Sequence, residues 1–320
     1  MISAEKSRFD TAAEMLGEIG IELKKLPSAT KNRVTEIRLR AGRPVMLELE
    51  NTRVKAGERV VTTKDVSDCI TRFCGYSVYS HEKELSEGYI TIKGGHRAGF
   101  CGSNVVKHGK TETIGGYSSI NLRISREHIG CADRLYRLIR EEKDFKGLLI
   151  IGPPLTAKTT ILRDLARQLG NISKVTVIDE RGEIAACCGG VPQNDVGINT
   201  DVLSGFRKSE AISMALRAMS PEYIICDEIG RENEEIENCV NSGVKLVITA
   251  HCGSVSEAYK SCILKPILET GAISHIALMS RDKLGEIKSI TATDGYNENS
   301  DNDYSADYKH RNRSLSFLKA

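Results

Sequence analysis

The stretch Ile150 to Thr160, IIGPPLTAKTT, carries residue types that hold polyphosphate. A phosphate-binding loop reads G-x-x-x-x-G-K-[ST]. Backbone N–H groups at the start of a helix wrap the phosphates, the lysine adds charge at the outer ones, and the next hydroxyl holds Mg2+. Gly152, Lys158 and Thr159 stand at that spacing, backed by Thr160. Pro153, Pro154, Leu155 and Thr156 fill the loop, and Ala157 occupies the place of the second glycine. Glycine is used there when φ is positive or when backbone must approach the ligand closely. If residue 157 needs a positive φ, alanine costs roughly 1–2 kcal/mol. Such a cost distorts the loop or weakens nucleotide binding, and leaves the lysine, the hydroxyl and the helix dipole in place. Taken alone, the stretch also reads as an ordinary strand, turn and helix with a surface lysine.

Three further clusters favour chemistry. YIICDEIG puts Asp227 and Glu228 directly after an apolar run. Asp227 suits Mg2+ coordination, and Glu228 suits a base that orients an attacking water. VTVIDERGEI puts Asp179, Glu180, Arg181 and Glu183 at the end of a second run, and KLVITAHC puts Thr249 and His251 at a third. Singly, an acidic pair after a strand is often a solvated helix start, and a lone histidine is often structural. Together with the loop they compose a nucleoside-triphosphate site.

These clusters need elements to position them. GLLIIG, VTVIDE, YIICDE and KLVITAH are apolar without alternation, so the spacing predicts strands buried on both faces. Helical patterns over Lys158–Leu169, Glu210–Met219 and Arg231–Asn241 separate them. That order predicts an α/β core, a mostly parallel sheet flanked by helices, with ligands at the carboxyl ends of the strands. Every cluster above lies at such an end. The earlier part reads differently. Phe9 to Leu23 predicts one helix or two, VTEIRLRAGRPVMLEL two strands around Ala41-Gly42, and Lys64 to Phe73 a short helix. GYITIKGGHRAGFCGSNVV predicts a glycine-rich hairpin, and YSSINLRISREHIG a strand with a connector. CADRLYRLIREEKD predicts a helix with Leu135, Leu138 and Ile139 on one face. The expected organisation is a smaller α+β domain over 1–125, a P-loop domain over 126–293 and a polar, disordered tail over 294–320.

The balance of 45 basic against 43 acidic residues and only 5% aromatics argue against a nucleic-acid partner. The 10 cysteines include no C-x-x-C pair, which points to reduced thiols rather than zinc or disulfides. The N-terminus lacks a signal-peptide apolar core, and no apolar run reaches the ~20 residues a membrane span needs. A cytoplasmic protein that meets membrane only through partners is expected.

The run SMALRAMSPEYIICDEIGRENEE resembles the second acidic motif of the secretion ATPases, the motors of type II and type IV secretion and of pilus retraction. VTVIDERGEI resembles their acidic box, VITAHC their histidine box, and EIRLRAGRPVML the opening of their N-terminal domain. TEIRLRAGRPV, GGHRAGFCG, SINLRISRE, GPPLTAKTTILRDLARQL, VIDERGEIAA, VPQNDVGINTDVL and ICDEIG resemble, in order, the motifs of a sporulation branch of these proteins, over about residues 9–290. The resemblance implies a C-terminal RecA-like P-loop NTPase core behind the smaller N-terminal domain, and a homo-oligomer, of hexameric form, that hydrolyses ATP with Mg2+. It also implies a place in the mother-cell cytoplasm, held peripherally at the forespore-facing membrane by membrane components of a secretion-like channel that it energises or gates. By position, Gly152 to Thr160 would bind phosphate, with Thr159 and Asp227 at the metal. Glu228 would be the main catalytic carboxylate, Glu180 would polarise water or assist the metal, and His251 would sense the γ-phosphate. Arg97, Arg123 and Arg126 are candidates to complete the site across subunits. The family has glycine where Ala157 stands. That departure leaves a second expectation open: a nucleotide-binding assembly platform with little or no hydrolysis.

Overall fold

The computed structural model describes residues 7–50, 52–107 and 110–294. The chain divides into two compact units: residues up to Glu127 together with Ala186–Asn194, and His128–Ala185 together with Asp195 onward. Of the tail over 294–320, for which composition predicts disorder, residues 295–320 lie outside the described residues.

The first unit opens with α1 (Arg8–Glu14), α2 (Glu18–Leu23) and α3 (Ser28–Lys31), followed by β1 (Val34–Arg40), β2 (Pro44–Leu49) and β3 (Thr52–Val60). Then come α4 (Thr63–Phe73), α5 (Glu82–Ser86), β4 (Tyr89–Ile92), β5 (His96–Lys107) and β6 (Lys110–Arg123). α1 starts where the Ser7 hydroxyl accepts the Asp10 N–H, and α4 where Thr62 and Asp65 form a reciprocal capping box. The strands make an antiparallel sheet in the order β3-β2-β1-β6-β5-β4. Their alternation puts Ile37, Leu39, Leu47, Ile92 and Leu122 on one face, in a core with Phe9, Ile19, Val66 and Phe73 from the helices. The strand β3 goes beyond what the pattern marks. It is an exposed, charged edge, TRVKAGERV, and an edge needs no apolar period.

The second unit runs α6 (Asp133–Glu141), β7 (Gly147–Gly152), α7 (Lys158–Gly170), β8 (Val175–Asp179), β9 (Thr200–Ser204), α8 (Lys208–Ala218) and β10 (Tyr223–Cys226). It continues with α9 (Asn233–Asn241), β11 (Lys245–His251), α10 (Val255–Lys260), α11 (Leu264–Glu269), β12 (His275–Met279) and β13 (Ile287–Ala292). The sheet order is β13-β12-β7-β11-β10-β8-β9, and every neighbouring pair is parallel except β12 with β13. β7, β8 and β10 are buried at every residue, as their unbroken apolar runs predict. Leu149, Ile151, Ile224 and Ile248 share one cluster with α8, α9 and α11. α7 packs on β7, β8 and β11 without joining that cluster, so helices cover both faces. β9, β12 and β13 are short strands toward the sheet's margins that the sequence pattern does not single out. Among the described residues, no helix is long and apolar enough to cross a membrane. None of the ten cysteines is in a disulfide, and burial pushes the thiols of Cys69 and Cys239 up to about 12, consistent with packing rather than reactivity.

One buried titratable group stands out in the first unit. His96, at 0% exposure, follows the Gly94-Gly95 turn, and its Nδ1 accepts the Ser125 N–H at 3.1 Å. Its Nε2 is buried without a hydrogen-bond partner. Burial, helped by the charge of Arg8, pushes the imidazole from 6.5 down to about 4. The unfolded chain therefore binds a proton between those two values that the folded unit refuses. Stability is fully present above pH 6.5 and is lost as pH falls toward 4. In chemical denaturation of the full chain, the wild type is expected to lose roughly 3 kcal/mol more than His96→Gln across that window. Identical pH profiles for the two proteins would contradict this role for His96.

Candidate functional site

β7, β11, β10 and β8 are adjacent and parallel, so their carboxyl ends fall in a row. Gly152 pairs in register with His251, and Cys226 lies beside Ile178 on one side and Ile248 on the other. The loop before α7, the Asp227-Glu228 pair, the Asp179-Glu180 pair and the Thr249/His251 pair therefore meet along one edge of one sheet.

The loop is held by backbone geometry. Leu155 (φ 63°) and Ala157 (φ 69°, ψ 26°) both have positive φ, and backbone that alternates in this way is the kind from which anion-binding nests are built. Ala157 thus adopts the conformation for which the motif uses glycine. Leu155 is 94% exposed, so it contributes backbone rather than side chain. Gly152 is required for another reason: a Cβ there would lie 2.8 Å from Met279 Cβ and 2.9 Å from Thr156 Oγ1. The Thr156 hydroxyl ties the loop by donating to Pro153 O at 2.9 Å. Lys158 is only 5% exposed. Its ammonium donates to Gly152 O (2.9 Å), Pro153 O (2.8 Å) and His251 Nδ1 (3.1 Å). Burial lowers its pKa, and the nearby charges of Asp227 and Glu228 restore part of the loss.

Asp227 joins the loop helix to the sheet. Its carboxylate accepts the Thr159 hydroxyl at 2.6 Å and, on the other oxygen, the hydroxyl of buried Thr249. The Glu228 N–H donates to Thr249 Oγ1 (2.8 Å) and to Asp227 Oδ1 (3.1 Å). These bonds hold Glu228 at φ 51°, a costly conformation for a side chain of this size. The Glu228 carboxylate lies between Arg181 (2.5 Å) and His251 Nε2 (2.9 Å). Because the ammonium of Lys158 only donates, it fixes His251 Nδ1 as the acceptor, and Nε2–H then donates to Glu228. Burial acts to raise the Glu228 pKa, but the His251 hydrogen bond and the charges of Arg181 and Lys208 outweigh it and hold the carboxyl below its usual value.

Glu180 lies in the adjoining cleft, which Asp179, Arg181, Lys208, Asp227 and Glu228 also line, and it pairs with Lys208 at 2.5 Å. Asp179 is structural here: its oxygens accept the N–H groups of Glu183, Ile184 and Ala185. The structure therefore joins Lys158, Thr159, Asp227, Glu228, Thr249, His251 and Arg181 in one network and places Glu180 beside it. Lys208 and Met279 belong to the site's surroundings without a sequence signal. No spacing links them to the motif, because strand order alone brings them near. The arginines of the first unit have partners within that unit: Arg97 stacks 3.7 Å over the Tyr89 ring, Arg123 meets Glu36 at 3.2 Å, and Arg126 donates to the carbonyls of Asn32 and Val34.

The donor set suits Mg2+. Thr159 and Asp227 supply a hydroxyl and a carboxylate, both hard oxygens, at the foot of the phosphate cradle. Mg2+ keeps several waters and binds through one or two protein oxygens plus substrate phosphates. Among the described residues no group of three or more His, Cys, Asp or Glu has metal-holding geometry, and a cation held in this way needs none.

The family model described as sporulation stage III, protein AA matches residues 14–297. Stage III sporulation protein AA of Bacillus subtilis (strain 168) is 36% identical over 287 residues, covering 85% of this chain and 91% of that protein. The structure is similar to the ATPase DotB of Legionella pneumophila, with a TM-score of 0.53 and 18% identity over 87% of this chain and 78% of that one. It is also similar to the pilus retraction motor PilT with bound ADP, with a TM-score of 0.54 and 16% identity over 81% and 77% of the two chains. At such identities the likeness concerns the fold: a RecA-like P-loop core with a smaller N-terminal α+β domain, as the sequence motifs predict.

Ala157 is where residue type and conformation disagree. Relief of a left-handed alanine outweighs the entropy that glycine adds to the unfolded chain. Ala157→Gly is therefore expected to stabilise the protein by about 1 kcal/mol, read as a higher urea midpoint. A lower midpoint would mean that the loop does not hold residue 157 in this conformation.

Proposed function

The chain belongs to the sporulation stage III, protein AA family, and on that premise we propose that it is an ATPase of sporulation. In this reading it works as an oligomer, a hexameric ring, that energises or gates a secretion-like channel between mother cell and forespore. It acts from the mother-cell cytoplasm and reaches the membrane through the channel's own membrane components. The observation that carries the reading is the network from loop to acids: Lys158 to His251 to Glu228, and Thr159 to Asp227.

The residues divide the work. The left-handed loop and the first amides of α7 receive the β- and γ-phosphates, where the helix dipole favours negative charge. Lys158 exchanges its bonds to Gly152 O and Pro153 O for phosphate oxygens. Thr159 and Asp227 would hold Mg2+, which when bound would supply positive charge against the phosphates. Glu228, kept ionised by its neighbours, accepts a proton from the attacking water. To do so its carboxylate must give up Arg181 or His251. His251 touches both Lys158 and Glu228, so a lysine drawn to phosphate changes the histidine's bond to the base; this is how it senses the γ-phosphate. Glu180, at the neighbouring strand end, assists the water or the metal once it is released from Lys208.

A second reading keeps binding and drops turnover: a nucleotide-dependent assembly platform. Two observations favour it, the left-handed Ala157 and a Glu228 carboxylate already engaged on both oxygens.

Purified protein separates the two. Lys158→Ala is expected to abolish binding of a fluorescent ATP analogue with Mg2+. Glu228→Gln is expected to keep binding and lose about 100-fold or more in turnover, the scale of a general base. Wild-type turnover no higher than that of Glu228→Gln would leave the platform reading standing. A wild type that binds no adenine nucleotide would overturn both.

A further inference from the structure

The segment that leaves the acid cluster does not stay with it. Between β8 and β9 the chain passes through Glu180 to Asn199, and the middle of this stretch, Ala186–Asn194, packs as part of the first unit.

Each end is pinned. At the near end, the carboxylate of Asp179, 2% exposed, accepts the N–H groups of Glu183 (2.8 Å), Ile184 (3.1 Å) and Ala185 (2.8 Å). Arg163, on the helix that begins with Lys158, donates to the carbonyls of Glu183 (2.6 Å) and Ile184 (3.2 Å). At the far end, Gln193 Oε1 accepts the Gly94 N–H at 2.9 Å. The Arg8 guanidinium donates to Gly94 O at 2.8 Å and Gln193 O at 3.5 Å, and pairs with Glu127 at 2.6 Å. Gly95, at φ +71°, is a strained and tight position for a side chain: a Cβ would lie 3.1 Å from Asn194 Oδ1, 3.3 Å from Ala186 Cβ and 3.4 Å from Gln193 Cβ. The paired glycines of GGHRAG are therefore the seat on which this segment lies.

The segment passes from one unit to the other between two adjacent residues. Ala185 is bonded to Asp179, and the next residue, Ala186, is already buried with the first unit at φ 51°. Consecutive Cα atoms are about 3.8 Å apart, so a shift of the acid box pulls directly on Ala186 and the residues beyond it. The first residues of the segment also hold the site's charges: Arg181 holds Glu228, and Glu180 holds Lys208.

We propose that Glu180 to Asn194 is a strap that carries the state of the nucleotide site into the N-terminal unit, with Gly94-Gly95 as its seat. Its input signal rests on the nucleotide reading above; its mechanical link does not. Coupling between two ends is reciprocal, so loosening the seat must loosen the acid box.

Amide exchange of the full chain, read by mass spectrometry over residues 181–186 and 92–96, tests this alongside affinity for a fluorescent ATP analogue. Gln193→Ala removes the acceptor for Gly94, and Gly95→Val forces a side chain against the strap. Without nucleotide, both are expected to raise exchange at Glu183, Ile184 and Ala185 by about three- to tenfold, the net worth of one hydrogen bond. Nucleotide bound to the wild type is expected to change exchange over 92–96, and Gln193→Ala to lose that response while still binding. Gln193→Ala, the milder change, decides the matter if Gly95→Val does not fold. Unaltered exchange at 183–185 in a folded variant overturns the strap, as does a wild type whose 92–96 exchange ignores bound nucleotide. Should the wild type bind no nucleotide, only the functional reading falls, and the nucleotide-free comparison still decides the strap.

Discussion

The carboxylate of Asp227 takes the hydroxyl of Thr159 from the loop helix and that of Thr249 from the neighbouring strand. Those two bonds join three elements that meet nowhere else in sequence. They exist because a parallel sheet buried on both faces can place polar groups only at its ends, where each must find a partner or water. Once Asp227 is satisfied in this way, the Glu228 N–H has its acceptors in place, and its carboxylate is directed at Arg181 and His251. Loop, Glu228 and His251 form one polar network, in which a change in any member is felt by the others.

The same network explains where strain sits. Leu155, Ala157 and Glu228 all have positive φ, and all lie at the phosphate loop or beside it. Each conformation costs of order 1–3 kcal/mol, and it persists because packing and hydrogen bonds around it leave no alternative. At Glu228 the restraint is the pair of bonds to its N–H; at the loop it is the Thr156 tie and the lysine folded over the carbonyls. Alanine in place of glycine at 157 keeps the cradle and raises the energy of the folded loop.

The first unit answers to a different constraint. Its sheet is antiparallel with one face on the helices, so its arginines lie on the other face and pair with glutamates and backbone in the same unit. The GGHRAG turn is not a plain hairpin tip: it seats Gln193, and it leads into a neutral, buried His96.

The sequence by itself determined the strands of the core, the P-loop helix, the acid pair and the histidine. The reason is that these are local: apolar runs without alternation, a spacing of glycine, lysine and threonine, and polar residues just after each run. It also determined that residue 157 is the odd one out. What only the tertiary structure decided depends on strand order, which no local pattern encodes. The order β12-β7-β11-β10-β8-β9 made Asp227 the partner of Thr159, brought Lys208 to Glu180, and put Met279 where Gly152 can bear no side chain. It also required the chain between β8 and β9 to leave the sheet and return, and the leaving segment packs with a unit that lies far earlier in the chain. Contacts of that kind arise from burial and hydrogen-bond satisfaction across the whole fold, so they become legible only once the chain is folded.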